Sequence, residues 1–192
     1  MKKILLTELL RELDIKPKPI LGKGSYHAVY DYLKDSTKII KVPLEDIDET
    51  HHQIEIFKEH PDIFPIVHKV TDKYVILEKL DAKKAREDIQ NLGKEIGIKI
   101  KELSDPSDTL RWIGRALNTP GNDISYLMNR IIFAFELNKR IISDMLTPED
   151  SKLYFTLMSL INQANEIMGG DADIHFNNFG YDKTGKLKIL DI

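Results

Sequence analysis

Near the end of this 192-residue chain, the run Asp171-Ala172-Asp173-Ile174-His175-Phe176-Asn177-Asn178 puts two carboxylates, an imidazole and two carboxamides within eight positions. Asp191 follows shortly after, behind the apolar run Leu187-Lys188-Ile189-Leu190. A carboxylate can take the proton of an attacking hydroxyl, and carboxylate and amide oxygens can hold Mg2+ between phosphate oxygens. Asp173, Asn178 and Asp191 are of the types this chemistry needs. Simple turn chemistry also accounts for the asparagines, because Asn tolerates left-handed backbone and caps turns. Asp171 and Asp173 equally suit a solvated loop. A third reading uses the alternation of Asp171, Asp173 and His175, which on extended backbone share one side, as in the metal site of a hydrolase or glycosyltransferase. That reading leaves a second constellation, near the other end of the chain, unexplained.

The second constellation begins with Gly22-Lys23-Gly24 in LGKGSYHAVY. Glycines let backbone turn sharply and bring its amides close to phosphate, although an isolated G-x-G is more often a plain hairpin turn. The residues that follow, HAVYDYLKDSTKIIKV, have strand composition. A dinucleotide-binding fold or a Walker loop needs a helix directly after its glycines, so both are excluded. On the next strand, KIIKVP flanks Lys41 with apolar residues, where an ammonium can reach phosphates lying under the glycine turn. The plain alternative is a surface lysine on an edge strand. A buried lysine needs a partner, and the next helix offers Glu49, Glu55 and Glu59. Glu55, inside IEIF, is the expected one.

Composition narrows the classes further. There are 28 basic and 31 acidic residues and no cysteine, for a net charge of -3. Disulfides, thiolate zinc sites and cysteine nucleophiles are excluded, and a reducing, cytoplasmic setting is expected. Nothing suggests a polybasic nucleic-acid surface. MKKILLTELLRELD reads as an amphipathic helix rather than a signal, since Thr7, Glu8 and Arg11 interrupt its apolar run. No stretch reaches the ~20 apolar residues of a membrane span.

The elements that must position these residues are legible in outline. After the prolines at 17 and 19, KPILGKG, HAVYDYLK and TKIIKVPL read as antiparallel strands separated by turn residues. Glu45 to Glu59 reads as a helix ended by His60-Pro61, and FPIVHKVTD and KYVILEKLD as two more strands. Beyond Asp81 the spacing predicts helices over Ala82–Gly93, Pro106–Leu117, Ile124–Met145 and Thr147–Met168. In the last, Thr147 can cap, Pro148 suits the first position, and Glu149 and Asp150 favour the positive end of the dipole. YDKTGK is a hairpin turn.

Taken in chain order, these pieces resemble the protein-kinase-like superfamily, including aminoglycoside and choline kinases and small bacterial and viral members. LGKGSYHAVY is similar to the glycine-rich loop with its strand-two valine, and KIIKVP to the strand carrying the phosphate-binding lysine. HPDI is similar to the phrase that often precedes the fourth strand. YVILEKLD resembles the fifth strand and hinge, DIHFNN the catalytic loop of small-molecule kinases, and ILDI the D-F-G position. The resemblance implies an α+β, bilobal fold: residues 1–80 as an N-terminal lobe with a five-stranded antiparallel sheet and one helix, and 81–192 as a reduced, mostly helical C-terminal lobe. It also implies ATP and Mg2+ as cofactors. Gly22, Gly24, Val29 and Lys41, with backbone groups from Glu78 to Leu80, would hold the nucleotide beside a gatekeeper Leu77. Glu55 would pair with Lys41, Asp173 would be the base, and Asn178 and Asp191 would hold metal.

The implied function is transfer of the γ-phosphate to a hydroxyl acceptor, in the manner of a Ser/Thr protein kinase. Alternatives are a small-molecule kinase of the aminoglycoside or choline type, and a nucleotide-binding pseudokinase acting through a protein partner. No nucleic-acid or membrane partner is implied. Three departures stand out: His27 replaces the third glycine, Asp171-Ala172 replaces the usual His-Arg or His-Gly, and the chain stops one residue after Asp191. The usual platform for a peptide substrate is then missing, so that residues 105–145 would have to replace it or the chain is a piece of a longer one.

Overall fold

A computed structural model gives the structure of residues 11, 22–23, 27–43, 48–102, 144–169, 174 and 176–191. The chain divides into two compact units, Met1–Leu80 and Asp81–Ile192.

The first unit is built on an antiparallel sheet of five strands: β1 (Gly22–Lys23), β2 (His27–Asp31), β3 (Lys38–Pro43), β4 (Val67–Val70) and β5 (Val75–Glu78), in the order β1-β2-β3-β5-β4. Side-chain alternation sorts them onto two faces. One face gathers the buried Ala28, Tyr30, Ile40, Val42 and Ile76, with Tyr32 and Tyr74 packed against them. The β2–β3 turn is closed by Asp35, whose Oδ1 accepts from the Thr37 amide at 3.0 Å and its hydroxyl at 2.6 Å. The Lys38 ammonium stands 2.9 Å from the other oxygen. These bonds, Lys38 first, hold the half-buried Asp35 carboxyl well below the usual carboxylate range. β4 lies at the sheet edge and carries a register shift between Val67 and Lys69, a distortion and a charge that together discourage pairing with a foreign strand.

The helix of this unit, α1, is described over Asp48–Glu59, and the expected start at Glu45 lies outside the described residues. It ends where expected. The His60 amide still reaches the Ile56 carbonyl, but Pro61 has no N–H to continue the ladder. Ile54 and Phe57 are fully buried, and Phe57 stacks on Phe64 at 4.8 Å with the rings 9° apart.

The second unit contains α2 (Ala82–Glu102), α3 (Pro148–Ile167), a 3-10 turn at Phe176–Asn178 and a hairpin of β6 (Phe179–Tyr181) and β7 (Leu187–Ile189). α2 runs through Gly93, where the sequence reading stopped it. A mid-helix glycine costs only about 1 kcal/mol, and the buried stripe Ala85, Ile89, Leu92, Ile96 continues past it, each large side chain contributing about 1.5–3 kcal/mol. Tertiary burial therefore outweighs the local stop signal.

α3 starts as its sequence requires, with the Thr147 hydroxyl accepting from the Asp150 amide at 3.2 Å and Pro148 opening the first turn. It closes at Met168 and Gly169, whose φ of 65° is the left-handed conformation that glycine adopts without strain. Residues 106–117 are outside the described set, as are 124–145 apart from the helical Asp144 and Met145, and the leading helix apart from Arg11. No helix among the described residues is long and apolar enough to cross a membrane.

Candidate functional site

Each unit contributes its own group of candidate residues. In the first, the ladder register places Gly22 opposite Val29, Val29 opposite Lys41, and Lys41 opposite Val75. One cross-strand row thus joins Gly22 of β1, the valine and the lysine, which are 7 and 12 positions apart in sequence, on a single face. Ile39 and Leu77 occupy the adjacent row of the same face. Gly24 is outside the described residues.

Lys41 is only 3% exposed, and its ammonium donates to Gln53 Oε1 at 2.7 Å. The expected pairing with Glu55 is not the one formed. The Glu55 side chain is 64% exposed and meets Lys58 at 2.7 Å on the outside of α1. Successive residues turn about 100° around a helix, so the phase that buries Ile54 and Phe57 swings position 55 outward and position 53 toward β3. Gln53 was not singled out in the sequence because a neutral amide does not announce itself as a counter-ion. The signal that finds it is helical phase, read from Ile54 and Phe57.

At the end of β5, Glu78 is buried and acts on its own sheet. Its carboxylate accepts from the Ile66 amide at 3.2 Å while its amide donates to the Ile66 carbonyl at 2.9 Å. Lys79 follows, its amide on the Thr37 carbonyl at 2.8 Å and its ammonium on Asp31 Oδ1 at 2.6 Å. These bonds fix the backbone on both sides of the strand, and the following Leu80 is buried. The position that the resemblance makes a hinge is therefore rigidly seated within its unit.

In the second unit, Asn178 closes the 3-10 turn. Its Nδ2 donates to the Asp191 carbonyl at 3.3 Å, and its own carbonyl accepts from the Leu190 amide at 2.6 Å. The β6–β7 hairpin thus folds back to place two oxygen-bearing side chains, 13 positions apart, at one end of the ladder. A carboxylate and an amide oxygen are hard donors of the kind that suits Mg2+ and not a soft metal. Among the described residues no three His, Cys, Asp or Glu side chains form a metal cluster. Asp171, Asp173 and His175 are outside the described residues. Ile174 between them is fully buried.

The hairpin turn contains more than turn chemistry. Asp182 Oδ1 accepts from the Thr184 amide and hydroxyl and from the Lys186 amide at 2.7–2.9 Å. Its other oxygen lies 4.0 Å from the ammonium of Lys188, which is only 3% exposed. Burial alone would raise the Asp182 carboxyl, but the bonds from Thr184 and Lys186 and the charge of Lys188 outweigh it, leaving the group below its ordinary value. Lys188 sits in Leu-Lys-Ile-Leu, where an isolated lysine reads as a solvent-facing position. Only the packed hairpin shows it to be enclosed.

No protein-family model matches the chain, and no curated protein does. Among solved structures, the gentamicin complex of APH(2")-IIa is similar at 15% identity, over all of this chain and 69% of the other, with a TM-score of 0.38. The streptomycin–ATP ternary complex of APH(2")-IIa is similar at 15% identity, over all of this chain and 73% of the other, with a TM-score of 0.32. Superpositions this loose leave the functional reading to the chain's own residues.

Proposed function

We propose that the protein is an ATP- and Mg2+-dependent phosphotransferase of protein-kinase-like, bilobal architecture. The observation that carries this reading is the row Gly22–Val29–Lys41 with the Lys41 ammonium buried and held by Gln53. A lysine confined to the inner part of a sheet, in one row with a strand glycine, suits a polyanion better than it suits a surface role. Desolvation makes its attraction for phosphate oxygens stronger than in water. In this reading Lys41 grips the phosphates, Gly22 lets backbone approach them, and Val29 with Leu80 encloses the base. Glu55 has no part in holding Lys41.

Asn178 and Asp191 would hold Mg2+, which when bound neutralises charge on the phosphate oxygens. Asp173 takes or orients the proton of the acceptor hydroxyl. That oxygen bonds to the γ-phosphorus as the bond from the γ-phosphorus to the β–γ bridging oxygen breaks, ADP leaves, and the proton passes to the Asp173 carboxylate. The acceptor is a protein hydroxyl in the leading reading. The histidine of DIHFNN favours a small-molecule hydroxyl as the second reading.

The test is incubation with γ-labelled ATP and Mg2+, alone, with cell extract, and with a panel of hydroxylated amines, for the protein and for Asp173→Asn. A general base contributes about 10^2–10^4 in rate, so labelling should fall at least a hundredfold in the variant. Equal labelling by both proteins would remove Asp173 from the mechanism. Binding of ATP without any transfer would assign the chain to the pseudokinase reading instead.

A further inference from the structure

A two-stranded hairpin is at best marginally stable alone, so the placement of Asp191 and Asn178 depends on what holds β6. Besides the burial of Phe179, Leu187 and Ile189, the polar attachment of β6 to α2 runs through Asp81. Asp81 caps α2, its Oδ1 accepting from the Lys84 amide at 3.0 Å. The same residue bridges to β6 through its backbone: the Asp81 amide donates to the Tyr181 carbonyl at 2.8 Å, and the Tyr181 amide donates to the Asp81 carbonyl at 3.3 Å. Lys84, one turn along, lies over the Tyr181 ring at 5.3 Å from its centroid.

We infer that Tyr181 is a positioning residue for the metal-binding end of the hairpin, locking β6 to the first turns of α2 and, through the β6–β7 ladder, fixing where Asp191 presents its carboxylate. The ladder gives the route. Tyr181 pairs with Leu187 and Phe179 with Ile189, so the strand anchored at Tyr181 carries Asn178 at one end, and its partner carries Asp191 just beyond Ile189. A slip of β6 along α2 would move both oxygen donors together. Asp88, two turns into α2, completes the attachment. Burial, and then the Asp88 carboxylate beside it, push the Tyr181 hydroxyl up to about 12, so it remains a hydrogen-bond donor at any physiological pH.

The inference rests on Asn178 and Asp191 being metal ligands, and the test separates the two ideas. The full chain is titrated with Mn2+ at fixed ATP, and protein-bound metal is followed by water-proton relaxation. The proteins compared are the unaltered chain, Asn178→Ala, Tyr181→Phe, Asp88→Asn and the double variant. Phenylalanine keeps the ring under Lys84 and removes only the hydroxyl, so the fold is retained. Losing a group hydrogen-bonded to a metal ligand weakens metal binding about 10–100-fold, and a residue that acts on the ligands through the ladder belongs at the lower end of that range. The expected result is roughly tenfold weaker Mn2+ binding in Tyr181→Phe and in Asp88→Asn, no further loss in the double variant, and unchanged ATP affinity without metal.

Unchanged Mn2+ binding in both single variants, whatever happens to the melting temperature, would show that the link from the Tyr181 hydroxyl to Asp88 does not set the position of the hairpin and would overturn the positioning role of that side chain alone. Equal relaxation by the unaltered chain and Asn178→Ala would overturn the metal reading of the hairpin, and the positioning role with it.

Discussion

The two units hold their candidate residues in different ways. In the first, Lys41 lies on β3, the middle strand of five, with neighbours hydrogen-bonded on both sides and a helix-borne amide on its ammonium. In the second, Asn178 and Asp191 stand at the end of two short strands that, among the described residues, pair with each other and, through the bridge at Tyr181, with Asp81. The buried lysine is therefore placed by a continuous sheet, and the two oxygen-bearing side chains by a small element packed on α2 and α3. A sheet interior is close-packed and yields little. A docked hairpin can shift as a body, so small changes far from its ligands should alter metal binding before they alter anything in the sheet.

That contrast can be broken or sharpened by substitution. The largest effect should come from Phe57→Ala, which empties a fully buried site stacked on Phe64 and should cost the first unit about 3–5 kcal/mol. Urea denaturation followed by amide exchange should show the loss concentrated in β3, β5 and α1. Asp182→Ala should cost about 1.5–3 kcal/mol, because its carboxylate accepts the turn bonds and faces the enclosed Lys188. Here exchange should accelerate in β6 and β7 while β3 keeps its protection. Loss of protection in both units together would show that the hairpin is not the separately docked element described.

A pH titration of the same amides supplies a graded version. The Asp182 carboxyl is depressed in the folded chain, so its stabilising effect is present above the ordinary carboxylate value of about 4 and is lost as pH falls through the lower folded one. Hairpin protection should therefore decline below about pH 4. The raised Tyr181 hydroxyl acts in the opposite direction. Its contribution is intact below its unfolded value of about 10 and should be lost as pH rises toward the folded value of about 12. The smallest effect is expected for Glu55→Ala, since an exposed pair such as Glu55–Lys58 contributes at most about 1 kcal/mol. ATP binding by thermal shift should be unchanged in that variant and weakened in Gln53→Ala. The reverse pattern would restore Glu55 as the partner of Lys41.

Much of the local structure was legible because it follows from residue type within a few positions. Thr147-Pro148 starts a helix by capping and fixed φ, Pro61 ends one by its missing amide, and Asp182 with Gly185 makes a tight turn. The candidate Lys41 was legible from its apolar flanks. The continuation of α2 through Gly93 was not, because the glycine signal is local and the stripe that overrides it acts through burial against other elements.

The sequence by itself determined which residue types the chain offers of the kind that phosphate and metal chemistry would use, their order, and the strands around Lys41 and the terminal hairpin. Tertiary structure alone decided that Gly22, Val29 and Lys41 share a row, that Gln53 and not Glu55 meets the ammonium, and that Asp191 is brought back to Asn178. The physical reason is that ladder register and helical phase are set by which faces become buried, and a shift of one position in a strand or two in a helix reverses them.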